Sequence, residues 1–212
     1  MHAVSRRRAL ARGFTMIETL VALVILSITL ALGIPAMSAW LLETKAGSAS
    51  QFYVEGFQMA REAARSHNAA SRIVLSENAE NGQMDWQVDL CFPTASVPCN
   101  SDSGSWSTTS SAAGDDPAGA AGFKSVFRSA VALPDAAQMQ PRLLPSGATD
   151  IYFRSTGWVD TAFSPRLSRI VLSPAVNSGA EFRTQAVVVT LAGIASKCDP
   201  EVAANDSRAC PP

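Results

Sequence analysis

Between Glu18 and Glu43 the chain carries no charged residue. The run Thr19 to Leu42 is the strongest constraint on the fold, because as an α-helix it would be about 36 Å long and apolar on every side. That length spans a bilayer with some tilt. Arg6, Arg7, Arg8 and Arg12 precede the run, and no acid lies among residues 1–13. Such a flank is positive-inside, holding the N-terminus in the cytoplasm while the rest crosses.

Glu18 is the anomaly at the start of this run. A carboxylate at the centre of a spanning helix costs about 2.5–3.5 kcal/mol on insertion scales, less near the interface, so it needs a partner or a function. A cut after Gly13 would give Phe14 a free ammonium group four residues earlier, close to one helical turn away. Gly13 has no Cβ to obstruct the backbone approach of a protease. Two rival readings exist. A secretory signal peptide would use Ala31-Leu32-Gly33 as its small-x-small cleavage site, but it explains neither Glu18 nor the amphipathic sequence after Pro35. An ordinary permanent membrane anchor is the other.

Gly13, Phe14, Glu18 and the apolar run together resemble a type IV prepilin signal, the leader class shared by type IV pilins and type II secretion pseudopilins. The resemblance implies cleavage between Gly13 and Phe14 by a membrane prepilin peptidase, followed by N-methylation of Phe14. It divides the chain into a leader (1–13), a transmembrane and filament-core helix (14–42) and a periplasmic or extracellular globular domain (43–212). The implied partners are the peptidase, the inner membrane and other pilin or pseudopilin subunits, which pack through the N-terminal helix. Gly33 and Pro35 weaken helical continuity, Pro35 by removing a backbone hydrogen bond. The resemblance gives them an assembly role, in a segment that extends when the subunit leaves the bilayer for the filament.

After Pro35 the apolar pattern becomes one-sided. Ala46, Ala49, Phe52, Tyr53, Gly56, Phe57, Ala60, Ala63 and Ala64 recur at three- and four-residue spacing, with Glu43, Lys45, Glu55, Arg61, Glu62 and Arg65 mostly off that face. The small residues would let a sheet approach, with Phe52 and Phe57 filling the space between; His67-Asn68 ends the helix. Arg61 and Arg65 share a helical face and read as a solvated pair, with a neighbouring subunit as the alternative. The run Phe57 to Ser66 resembles the alanine- and arginine-rich segment of the GspH/FimT family of minor pilins and pseudopilins.

Beyond position 70 the period changes from helix to strand. Arg72–Leu75 and Trp86–Leu90 flank a turn containing Asn81-Gly82, a hairpin signal. Further strands are expected at Phe123–Leu133, Asp150–Phe153, Arg169–Leu172 and Thr184–Leu191. One long helix followed only by strands predicts an α+β, pilin-like fold: a helix with a hydrophobic first half and an amphipathic second half, packed on antiparallel sheet. The Ser-, Thr-, Gly- and Ala-rich stretch Asn100 to Gly122 predicts an exposed, mobile loop.

Four cysteines permit three connectivities, and neither close pair has the C-x-x-C form of a zinc or redox site. Local pairing is expected, Cys91 with Cys99 and Cys198 with Cys210, in an oxidising compartment. In pilin-like proteins a C-terminal disulfide commonly frames an exposed surface, here Asp199 to Ala209. Asp199, Glu201 and Asp206 read as solvated carboxylates, so neither metal nor cofactor is expected.

The formal charge is −1; without residues 1–13, 13 basic residues face 18 acidic ones, a charge of −5. That balance argues against a general nucleic-acid binder, which needs clustered Lys and Arg. Many members of the resembled family place arginines after the glycine that follows the closing strand, and some of those bind DNA during uptake. Here Ile194 and Ala195 follow Gly193, leaving Lys197 and Arg208 as the nearby cations. No catalytic site is read. Of two histidines, His2 lies in the leader and His67 at a helix end; no P-loop, H-E-x-x-H or G-x-S-x-G occurs. The chain therefore reads as a substrate of the peptidase and a structural subunit. A minor type IV pilin is the leading expectation; an H-type pseudopilin of type II secretion and a DNA-binding uptake pilin are the alternatives.

Overall fold

The computed structural model describes residues 14–101, 103–176 and 178–211. A single long helix, α1 (Met16–Ser66), is followed by eight strands: β1 (Ala70–Glu77), β2 (Met84–Cys91), β3 (Val126–Arg128), β4 (Met139–Leu144), β5 (Asp150–Phe153), β6 (Arg169–Pro174), β7 (Gln185–Val189) and β8 (Ala195–Cys198). They form two four-stranded sheets, β3-β2-β1-β5 and β4-β6-β7-β8, in which every neighbouring pair is antiparallel. The fold is α+β and pilin-like. The chain divides into two compact units, one ending at Ala39 and the other beginning at Trp40.

In the second unit the small-residue stripe of α1 faces the core. Ala46, Ala49, Tyr53, Gly56, Phe57, Ala60, Ala63 and Ala64 are buried, while Phe52 is half-buried at the edge. Gly56 sets the helix-to-sheet distance, since a Cβ there would stand 2.8 Å from Ile73 Cδ1 and 3.0 Å from Trp86 Cδ2. Polar anchors fix the register along the helix: Ser71 Oγ donates to Ala60 O at 2.6 Å and Trp86 Nε1 to Phe52 O at 3.1 Å. Sheet 2 is tied to the helix by Ser50 Oγ, which donates to Gln185 Oε1 at 2.8 Å. One apolar cluster joins α1, sheet 1 through Ile73, Trp86 and Phe153, and sheet 2 through Ile170, Leu172 and Val187.

α1 ends as its sequence suggests. Asn68 takes φ +49, Ala69 N donates to Ala64 O and Asn68 N to Arg65 O. These two bonds around a left-handed residue form a Schellman cap, and Asn is the residue after Gly that tolerates this conformation.

β1 and β2 form the expected hairpin, in register from Ala70↔Cys91 to Glu77↔Met84. Its connection is closed by a backbone bond from Asn78 N to Gln83 O and tied to the segment after β3 by Asn81 Nδ2, which donates to Ala130 O at 2.8 Å. Asp150–Phe153, Arg169–Leu172 and Thr184–Leu191 all contain strands. The stretch Phe123–Leu133 is strand only at Val126–Arg128, because Ser129 and Ala130 turn to bond Asn78 and Asp85.

The described residues of the stretch Asn100–Gly122 are mostly exposed, as expected, but the stretch is anchored to sheet 1. Ser107 N donates to Leu90 O and Ser107 Oγ accepts from Leu90 N, so the segment continues the hydrogen bonding of sheet 1 past β2. Trp106 lies over the Arg72 guanidinium at 4.3 Å and edge-on to Tyr152. Asp116 is buried and accepts from the backbone of Ala118 and Phe123. Backbone pairing and one aromatic anchor offset the ordering cost that composition alone would not.

Candidate functional site

The first unit begins with the residues the sequence singles out. Gly13 and the rest of 1–13 lie outside the described residues. Phe14 precedes the helix and is exposed, and Thr15 caps it: Glu18 N donates to Thr15 Oγ1 at 3.3 Å and Thr19 N to Thr15 O at 3.2 Å. Thr15 is thus the N-cap and Glu18 the third helical residue, the T-x-x-E arrangement of a capping box. Sequence reasoning passed over Thr15, although this spacing is a recognisable signal. The helix N-terminus carries partial positive charge, which favours a carboxylate in its first turn.

From Met16 to Met37 the large apolar side chains of α1 are exposed, from Leu20 at 50% to Met16 at 82%. The helix is long and apolar enough to cross a membrane. Its hydroxyls are satisfied within the helix: Thr19 Oγ1 donates to Met16 O, Ser27 Oγ to Leu23 O and Thr29 Oγ1 to Leu26 O, at 2.7–2.8 Å. Internal satisfaction is what a lipid or protein-packed environment requires. Among the described residues the Glu18 carboxylate makes no ion pair or hydrogen bond. Gly33 is exposed with nothing within 4 Å of an added Cβ, and Pro35 lies inside α1, which is helical throughout.

In the second unit, Arg61 and Arg65 differ. Arg61 is half-buried and its Nε donates to Gly157 O at 3.3 Å, whereas Arg65 stays exposed as expected, with its stem beside Gly157, where an added Cβ would meet Arg65 Cδ at 2.6 Å. Arg65 also stands 3.6 Å from Glu62. Buried polar chemistry gathers on the outer side of β1 and β2, where Arg72 Nε donates to Asp89 Oδ2 at 2.8 Å and Gln87 Nε2 to Asp89 Oδ1 at 2.7 Å. Burial pushes the Tyr152 hydroxyl above its usual range, reinforced by its bond to Asp150 and opposed by Arg72.

The cysteines pair locally, Cys91 with Cys99 and Cys198 with Cys210. The second bridge closes a tail in which each carboxylate is engaged. Asp199 Oδ1 accepts from Glu201 N and its Oδ2 lies 3.8 Å from Arg183; Glu201 Oε1 accepts from Thr184 at 2.6 Å. Asp206 Oδ2 meets Arg208 at 2.8 Å. The Arg208 side-chain bond, then its backbone amide, hold Asp206 down at about 2. Lys197 and Arg208 line the same shallow cavity of about 340 Å³ with Glu43 and Asp199, so its charge is mixed.

Residues 8–34 match the family model of the prokaryotic N-terminal methylation motif. No curated protein and no solved structure matches the chain. The motif supports a type IV pilin-like or pseudopilin-like chain processed by prepilin peptidase, and with the apolar helix it supports membrane anchoring.

Proposed function

We propose that this chain is a minor type IV pilin of the GspH/FimT type. Prepilin peptidase removes residues 1–13 at the cytoplasmic face of the inner membrane, and the new Phe14 amine is methylated. The helix from Phe14 to Leu42 waits in the bilayer with residues 43–212 in the periplasm, then joins the helical bundle of a pilus. Glu18 pairs there with a Phe14 ammonium, its own or a neighbour's, so that neither charge stands alone in a low-dielectric core. Gly33 and Pro35 let the helix extend as the subunit leaves the lipid.

One observation carries the reading. Glu18 stands at the head of the charge-free run Thr19–Leu42, on a helix capped so that Phe14 lies just outside it, and its carboxylate lacks a partner among the described residues. The GspH/FimT assignment is supported by the resemblance of the segment Phe57–Ser66, whose alanines are buried and whose Arg61 is held by the Gly157 turn. The test is co-purification of the chain with its assembly. Recovery in sheared pili, below the level of a major subunit, supports a minor pilin; recovery only with type II secretion components contradicts it.

A further inference from the structure

Two turns of the same construction meet beside the last turns of α1. One, Arg154–Trp158, follows β5 of sheet 1; the other, Thr190–Ile194, follows β7 of sheet 2. In the first, Gly157 N donates to Arg154 O at 2.7 Å and Arg154 N to Trp158 O at 2.8 Å. In the second, Gly193 N donates to Thr190 O at 2.8 Å and Thr190 N to Ile194 O at 3.0 Å. Both are three-residue hairpin loops closed by a left-handed glycine, with φ +82° at Gly157 and +75° at Gly193.

The turns are locked to each other and to the helix. Val159 N donates to Leu191 O at 3.0 Å, Arg61 holds Gly157 O, and a Cβ on Gly193 would collide with that same carbonyl. This rigid platform presents large apolar side chains to solvent: Trp158 is 58% exposed, Leu191 55% and Ile194 53%. Trp158 and Ile194 occupy the same place in their turns, directly after the glycine. The fold buries neither, so packing gives no reason for such residues there. Beside them lies a groove of about 500 Å³, lined by Arg154, Thr156, Trp158, Val159, Thr161 and Leu191.

The charge around the platform restricts its occupant. Arg61, Arg65 and Arg154 surround it, against Glu62 and Asp160, and Arg61 has no carboxylate partner among the described residues. With Arg65 paired to Glu62 and Arg154 to Asp160, the patch keeps one net positive charge, from Arg61, so two copies meeting through it would bring like charge together, which disfavours self-pairing. The platform also sits at the end of the domain's helical stretch remote from Trp40, where the apolar segment joins.

We propose that the twin turns are the docking surface for a different subunit of the same filament, one that presents an apolar side chain edged by carboxylates. The proposal rests on the pilin reading, which supplies such a neighbour. The hot spot is Trp158, an amphipathic aromatic over a groove that Leu191 also lines, with Ile194 exposed on the adjoining turn.

The test places a photo-reactive phenylalanine analogue at position 158 of the full chain in its own cells, with a second probe at Val176, which is 83% exposed elsewhere. The expected result is an adduct from position 158 alone with another pilin-like subunit in sheared filaments, abolished by charge reversal of that subunit's carboxylates. The double variant Trp158→Ser, Ile194→Ser should keep its disulfides and thermal stability yet lower recovery of the partner at least tenfold. An adduct with a second copy of this chain, with lipid or with glycan would overturn the proposal, as would no adduct from a chain that starts at Phe14 and enters filaments. A mature chain that starts elsewhere would instead sink the pilin reading, and this one with it.

Discussion

Gly56 and the Trp86 indole are in contact without an intervening side chain, so close that a Cβ at position 56 would stand 3.0 Å from the ring and 2.8 Å from Ile73 Cδ1. In an isolated helix Ala would be favoured over Gly by about 1 kcal/mol. Here overpacking costs typically about 1–3 kcal/mol, because the obstacle is a fused ring held by its bond to Phe52 O. Gly56→Ala should therefore destabilise the second unit by up to about 2 kcal/mol, lowering Tm by up to roughly 8 °C. Thermal unfolding followed by circular dichroism checks this, and a raised Tm would show that the interface yields.

Gln83 is fully buried and holds three elements together. Its Nε2 donates to Pro134 O at 2.8 Å and Met139 O at 2.6 Å, while its Oε1 accepts from the Tyr53 hydroxyl at 3.4 Å. Burial pushes Tyr53 well above its usual range, and the bond from Met84 N opposes that. Gln83→Leu fills the space but strands two buried carbonyls, at a cost of about 2–4 kcal/mol. Urea unfolding should show a lower midpoint with an unchanged slope.

Asp206 titrates as a reporter of the C-terminal loop. Its carboxyl is held at about 2 against an ordinary 3.8, first by the Arg208 side chain. A depressed folded value means the pairing stabilises fully above the ordinary value and is lost as pH falls through about 2. Carbon-detected NMR of the Asp206 carboxyl should show the low midpoint in dilute salt and a rise toward 3.8 in 1 M salt or in Arg208→Ala, since the pair is exposed and screened. No response to either change would remove Arg208 as the cause.

Glu18→Ala removes the acid but neither the cap residue Thr15 nor the apolar helix. The variant should reach the membrane and lose residues 1–13 at the normal level, yet its recovery in sheared filaments should fall at least tenfold. Normal incorporation would refute the charge pairing.

Much of this architecture is visible in the residue pattern. The three- and four-residue spacing from Ala46 to Ala64 marks the buried face, and Asn68 marks the helix end, because both depend on local geometry. β4 escapes notice since Pro141 interrupts it, and it is tolerated because β4 is an edge strand. β8 escapes because Ser196 and Lys197 give it no apolar alternation. Trp106 shows the opposite failure: the surrounding Ser and Gly suggest disorder, and its tertiary partners Arg72 and Tyr152, with the pairing of Ser107 to Leu90, explain why the segment packs. Arg61 reads as solvated because Gly157 and Gly193, far along the chain, bring the turns that cover it, while Arg65 stays exposed. The spacing of Phe14 and Glu18 is read from the sequence alone, and the pairing of their charges belongs to the proposal.

On the proposed reading, cleavage after Gly13 creates the amine that Glu18 needs. N-terminal sequencing and intact mass of the processed protein, isolated from membranes and from filaments, decide whether it does. The expected chain begins at N-methylated Phe14 in both fractions. A mature terminus near Gly33, or an uncleaved chain in the filament, would contradict it.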